Sequence, residues 1–161
     1  MGQMTEQVTL LVDFLNTLDV EHGADLLDDR AAYAGWGRAR CLDPGSAAEA
    51  GALRAAVRAS LLGVAAPTFA SRVPVVLAAG EGPRPAPVTV VEAVLAAGAA
   101  LVLTGSWDRL RLCPADDCQQ AFFDRSRNRS RVWCAMADCG NLAKARGYRA
   151  RARGEGRAPA V

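Results

Sequence analysis

Histidine and lysine are almost missing from this 161-residue chain, which holds one of each, His22 and Lys144. A lone histidine cannot build a multi-imidazole site, and a catalytic zinc ordinarily keeps histidine or carboxylate ligands and an exchangeable position. His22 lies in the polar stretch 19–25 and reads as a loop residue. Also missing are a nucleophile–base pair, a phosphate-binding glycine loop and a carboxylate dyad, so an enzyme is not expected. Long hydrophobic runs are scarce: the longest, Val88–Thr104, is broken by Glu92 and falls short of the about 20 residues that span a membrane. No secretory signal is seen, since Met1–Gln7 is polar and Val8–Leu18 is interrupted by Asp13 and Asn16. A soluble, cytoplasmic protein is expected, in a compartment that keeps thiols reduced. Internal repeats are absent, and the one low-complexity piece, Arg149–Val161, is expected to fray.

What is present is ample core material and a lopsided charge. Hydrophobic residues make up 51% of the chain, enough for one domain or a domain with a small appendage. From Gly105 onward twelve Lys and Arg face six Asp and Glu (+6), whereas before it seven face eleven (−4). An acidic first part joined to a basic tail points to a polyanion as the tail's partner. Arginine stands almost everywhere for lysine, alongside heavy use of alanine and glycine, as a GC-rich genome would produce. The placement of the arginines, not their number, therefore carries the information.

Val8, Leu11, Val12, Leu15 and Leu18 recur at helical spacing and predict an amphipathic first helix. Leu26, Leu27, Ala31 and Trp36 predict a shorter one ending near Gly35 or Gly37, followed by a turn over 41–45 in which Cys41 reads as a small buried residue. Ser46 with Glu49 is a capping box for a helix to about Gly63, carrying Leu53, Val57 and Leu61. Arg72–Ala78 suggests a short strand that Pro74 confines to a sheet edge, and Gly80–Pro87 a connector. Thr89 and Glu92 form a second capping box, opening a helix through Leu103 that is apolar nearly all round and so expected at the buried centre. Gly105-Ser106 ends it and divides the chain into a mostly helical domain, 1–104, and a C-terminal domain, 105–161.

Four of the five cysteines stand in that second part as two pairs, Cys113/Cys118 and Cys134/Cys139, in the pattern C-x4-C-x15-C-x4-C. Four thiolates from two short loops are what a closed tetrahedral zinc site requires. Two disulfides or four unrelated buried thiols are the competing readings, and a reducing compartment favours metal. Between the pairs, Ala121–Phe123 and Arg131–Trp133 are β-prone, with Asp124–Ser130 as a polar hairpin tip. Phe122, Phe123 and Trp133 read as hairpin packing around the metal. Asn141–Arg153 is predicted helical, with Gly147 a mild defect. Knuckle, hairpin, second cysteine pair and helix resemble a treble-clef-like zinc finger, too small to bury a core without metal. The fold class is α+β, mainly α: a helical first domain with short edge strands and a small finger after it.

Arg125, Arg127, Arg129 and Arg131 alternate across the hairpin tip, and in an extended arm all four would share one face as a comb for phosphates. On the last helix Lys144, Tyr148 and Arg151 share one face, while Arg146, Arg149 and Arg153 take roughly the opposite one. A helix basic on two sides has little surface left to pack, which suits backbone or groove contact with a nucleic acid. The bland alternatives are a solvated loop and cations placed to complement a helix dipole.

From Arg109 to Arg153 the chain resembles the CGNR zinc-finger family. The residues that carry this are R-L-R-L-C-P-A-D-D-C (109–118), F-F-D-R-S-R-N-R-S-R-V-W-C (122–134) and the ending C-A-M-A-D-C-G-N-L-A-K-A-R-G-Y-R-A-R (134–151). The first hundred residues look, more loosely, like the ABATE domain that precedes this finger, with V-D-F-L-N-T-L (12–18) as the clearest signature. The resemblance implies a bacterial transcription regulator with a structural zinc and a finger that binds DNA, expected as a duplex. It also implies an N-terminal domain that senses a small-molecule effector, with Asp13 and Asn16 as candidate pocket residues, or that makes a homodimer. A protein-interaction module and RNA binding are the alternatives. The family takes its name from Cys-Gly-Asn-Arg, and here the fourth position is Leu142, so a contact made by that arginine is lost or moved to Lys144 or Arg146.

Overall fold

The structure, a computed structural model, describes residues 2–80 and 82–152. Its class is α+β. Helix α1 (Gly2–Leu15) leads into a tight ribbon of β1 (Leu18–Asp19) and β2 (Ala24–Asp25), followed by α2 (Arg30–Arg38), α3 (Ala47–Leu62) and α4 (Val90–Leu103). A second ribbon, β3 (Val75–Val76) with β4 (Arg84–Pro85), bridges α3 to α4. The C-terminal segment holds β5 (Leu110–Leu112), β6 (Ala121–Phe123) and α5 (Asn141–Ala152).

The capping signals place α3 and α4 to the residue. Ser46 Oγ accepts from the Glu49 amide at 3.3 Å, and Gly63 closes α3 in the left-handed region at φ 67°. At Thr89 both halves of the box form, the Thr89 hydroxyl accepting from Glu92 and the Glu92 carboxylate accepting from Thr89. Burial along α4 stops at Leu101; Val102 and Leu103 are exposed, so its last turn lies outside the centre that an apolar run suggests. Helix α1 also ends earlier than the spacing of Leu18 predicts. After Leu15 the last turn tightens, with the Thr17 N–H and hydroxyl both donating to the Phe14 carbonyl at 3.2 and 2.7 Å, and Leu18 pairs with Asp25 in β1. Cys41 is exposed rather than buried, at φ 57°, because it sits on the outside of the turn after α2.

Helix α1 packs along α4, and Leu11, Phe14 and Leu15 meet Leu53, Val94 and Leu101 in a core that also takes in Leu110 and Ala121. One hydrophobic cluster therefore runs across residue 105. Two buried arginines of α3 serve this core. Arg54 binds Thr17 at 2.8 Å and both carboxylate oxygens of Asp25, and Arg58 donates to the Leu15 carbonyl at 3.3 Å. The ribbon β3–β4 is solvent-exposed, as Pro74 requires of an edge.

One expectation about the C-terminal segment fails. The partner of Ala121–Phe123 is Leu110–Leu112, paired Leu110↔Phe123, Arg111↔Phe122 and Leu112↔Ala121, and Arg131–Trp133 is not a strand. The hairpin thus encloses the first cysteine pair, and Asp124–Ser130 is a separate loop.

Candidate metal centre

Two knuckles bring the four cysteines together. The first is the β5–β6 turn, closed by Cys113 N–H donating to the Gln120 carbonyl at 2.8 Å and by Cys118 and Gln119 N–H donating to the Ala115 carbonyl. The second is a wide π turn, Met136–Gly140, that carries Cys139 directly into α5. All four Sγ atoms lie within 4.8 Å of one another. Cys134 stands 3.5 Å from Cys118 and 3.7 Å from Cys139, sulfur to sulfur. A regular tetrahedron with Zn–S bonds of ~2.3 Å has S···S edges of about 3.8 Å, whereas a disulfide needs about 2.05 Å. The geometry is that of a metal cage and not of two disulfides. Structural zinc fits it: four soft donors close the coordination and leave no position for water.

The thiols respond to one another as such a cage predicts. Burial would raise Cys113, but hydrogen bonds from the Cys134 and Ala115 backbone and from neighbouring thiols hold it below its ordinary value. Burial, then the surrounding sulfurs, pushes Cys134 well up, and burial, then Cys118, pushes Cys139 up to about 11. The cage accepts a first negative charge and penalises the next, a conflict that a dication removes.

Gly140 and Asn141 explain their places beside Cys139. A Cβ on Gly140 would come within 2.5 Å of Met136 Sδ and 3.2 Å of Trp133 Cδ1, and Asn141 donates to the Ala137 carbonyl at 2.9 Å. Leu142 is half exposed. One turn on, Arg146 reaches Asp117 in the first knuckle at 2.9 Å, and both side chains are more than half exposed.

The loop after β6 is built on Asp124, which is fully buried and accepts from Ser126 N–H at 2.8 Å and Arg131 N–H at 3.0 Å. Hydrogen bonding from Ser126 holds its carboxyl below the usual range. Arg109 and Arg111, two apart on one face, fill the loop from beneath. Arg109 donates to the carbonyls of Asp124 and Ser126, both at 2.9 Å, and Arg111 to those of Arg129 and Arg131, at 3.0 and 3.1 Å. Of the segment 131–133, these guanidiniums hold only the Arg131 carbonyl; the others they hold belong to the loop at 124, 126 and 129. Sequence reasoning missed both roles, although the R-x-R spacing was a signal for one shared face.

The alternating arginines therefore do not make a comb. Arg129, at φ 52°, is ion-paired with Asp108. Arg131 lies 4.8 Å over the Phe122 ring and donates to the Trp133 and Cys134 carbonyls, bracing the second knuckle. Arg125 and Arg127 are exposed and their side chains make no hydrogen bond or ion pair among the described residues, and the same holds for the side chains of Lys144 and Arg151 on α5. Arg149 turns onto the Ala145 carbonyl at 3.3 Å. Arg153 lies outside the described residues.

In the helical half, Asp13 borders a groove of about 560 Å3 between α1 and α4, floored by Leu10, Ala93 and Ala97 and rimmed by Pro85 and Pro87. Its carboxylate pairs with Arg40 at 2.8 Å, and that guanidinium lies 3.9 Å over the Trp36 ring. Asn16 is not in this groove. It borders a smaller hollow with Asp13 and Trp36, and its amide is spent on the backbone of Ala121. Among the described residues no helix is long and apolar enough to cross a membrane.

No curated protein matches the chain. Residues 109–152, which hold all four sulfurs together with the loop and helix built around them, match the model of the CGNR zinc finger family.

Proposed function

We propose that this chain is a DNA-binding transcription regulator in which zinc is structural and not catalytic. The C-terminal segment grips duplex DNA chiefly by its phosphates, and the helical half senses an effector or makes a dimer. The reading is carried by four exposed, unpartnered cations, Arg125, Arg127, Lys144 and Arg151, on the segment that also carries the four-sulfur cage. Arg129 and Arg131 serve the loop's architecture instead. Arg146 pairs with exposed Asp117 and Arg149 turns onto its own helix's Ala145 carbonyl, so either can exchange its partner for a base edge. An effector would sit in the groove beside the Asp13–Arg40 pair.

Fluorescence anisotropy with zinc-loaded protein and duplex DNA tests this. Affinity should fall steeply from low to physiological salt, and Arg125→Ala with Arg127→Ala should reduce the salt slope by about 1.8, at about 0.9 per phosphate contact. Absence of binding at low salt removes the reading. A protein-interaction role is the second reading, favoured by exposed Met136, Leu142 and Tyr148 on the π turn and α5. A stoichiometric protein partner that survives nuclease treatment would support it. Competition between duplex DNA and RNA separates the two nucleic acids.

A further inference from the structure

Two polar side chains cross from the helical half to the stretch that follows Cys118. Asn16, just past α1, donates from Nδ2 to the Ala121 carbonyl at 3.0 Å and accepts the Ala121 N–H on Oδ1 at 2.7 Å. One side chain thus gives the edge of β6 the reciprocal pairing of a neighbouring strand. Arg58 of α3, itself buried, donates to the Gln119 carbonyl at 3.1 Å and to its Oε1 at 3.3 Å while holding the Leu15 carbonyl.

Between these anchors lies the most constrained part of the first knuckle. Gln119 is left-handed, at φ 52°, a conformation that a side-chain-bearing residue adopts reluctantly. It adjoins the ligand Cys118, and the next carbonyl, that of Gln120, accepts from the ligand Cys113. Relaxing residue 119 would swing both sulfurs of this knuckle. Groups outside the ligand shell that hold ligands in place commonly govern metal affinity.

We propose that Asn16 and Arg58 are positioning residues for the metal centre, holding residues 119–121 so that Cys113 and Cys118 are preset for zinc and the helical half sets the cage's affinity. This inference rests on the four-sulfur site and is independent of nucleic-acid binding. Linkage makes the coupling reciprocal, so zinc stabilises α1 and α3 as well as the segment that holds it.

The test is zinc affinity of the full chain, by competition with a chromophoric chelator, for wild type, Asn16→Ala, Arg58→Lys and a control, Val94→Ala. Val94 is buried in α4 and shares the core with Leu15 and Ala121, but its apolar side chain holds no residue of 119–121 by a hydrogen bond. Asn16→Ala and Arg58→Lys should each weaken zinc about 10- to 100-fold. Their cobalt-substituted forms should keep the thiolate charge-transfer band of a four-sulfur site. Val94→Ala should lower the melting temperature yet leave Kd within about twofold, because thinning the core leaves both polar anchors on residues 119–121 in place. Wild-type affinity in both positioning variants overturns the proposal, and so does an equal loss in Val94→Ala. Should Asn16→Ala fail to fold, Asn16→Asp keeps the acceptor for the Ala121 amide and loses the donor. Its expected affinity lies between wild type and Arg58→Lys, and wild-type affinity there overturns the proposal too.

Discussion

Zinc affinity should climb steeply with pH, because the metal displaces protons that the cage otherwise retains. Only the thiolate ligates. Cys139 is pushed up to about 11, by burial first and then by the adjacent Cys118, and Cys134 is pushed further up by burial and by the other three sulfurs. Both carry protons near neutrality and both must release them on binding. Those two alone make Kd fall by at least about 100-fold per pH unit. The sign follows from the raised values: acid favours the protonated, metal-free cage. Kd would be measured against a chelator of known pH dependence from about pH 6 to about 7.5, with proton release counted by calorimetry in buffers of different ionisation enthalpy. A change of about tenfold per pH unit or less would refute the reasoning, because it would require sulfurs already ionised without metal.

Cys134→Ala should abolish tight zinc binding and strip amide-exchange protection from 109–152; protection equal to wild type would show that the segment folds without the cage. Removing Arg54 leaves Asp25 and Thr17 without their shared donor, so Arg54→Ala should cost about 3–5 kcal/mol in denaturant titration; a loss below about 1 kcal/mol contradicts the packing described. Hydrogen bonding from Arg54 lowers the Asp25 carboxyl, so its contribution is complete above the ordinary carboxylate range and disappears as pH falls through the lowered folded value. The stability gap between wild type and Asp25→Asn should accordingly close in acid, as read from urea midpoints. Gly140→Ala should weaken zinc only slightly in chelator competition, because the atoms a new Cβ meets first are the far end of the half-exposed Met136, which can swing aside; a large loss would show that Met136 is fixed.

Much of the helical half was legible because its signals are local. A hydroxyl or carboxylate three residues from an amide declares a helix start whatever the rest of the chain does: Thr89 with Glu92 opens α4, and Gly105-Ser106 marks its end. The cysteine spacing was similarly self-contained. What escaped was long-range pairing among short pieces. Three residues of alternation cannot name their partner: 121–123 reads as a match for 131–133, whereas it pairs with 110–112 and its Ala121 edge is taken by Asn16. Asn16 shows the same limit. On a helix shoulder it suits a pocket or a backbone clamp equally, and the choice depends on a residue more than a hundred positions away.

Arg109, Arg111 and Arg131 hold neutral carbonyls, and a carbonyl spends a guanidinium's donors without cancelling its charge. Their directional bonds point inward while their field still reaches the solvent. On the proposed reading, attraction and grip would fall to different side chains: the struts would help draw an anionic surface in over several ångströms, and Arg125, Arg127, Lys144 and Arg151 would be left to seize it. Substituting a strut would slow the encounter and loosen the loop together, whereas substituting a free cation would shorten the lifetime of whatever had already landed.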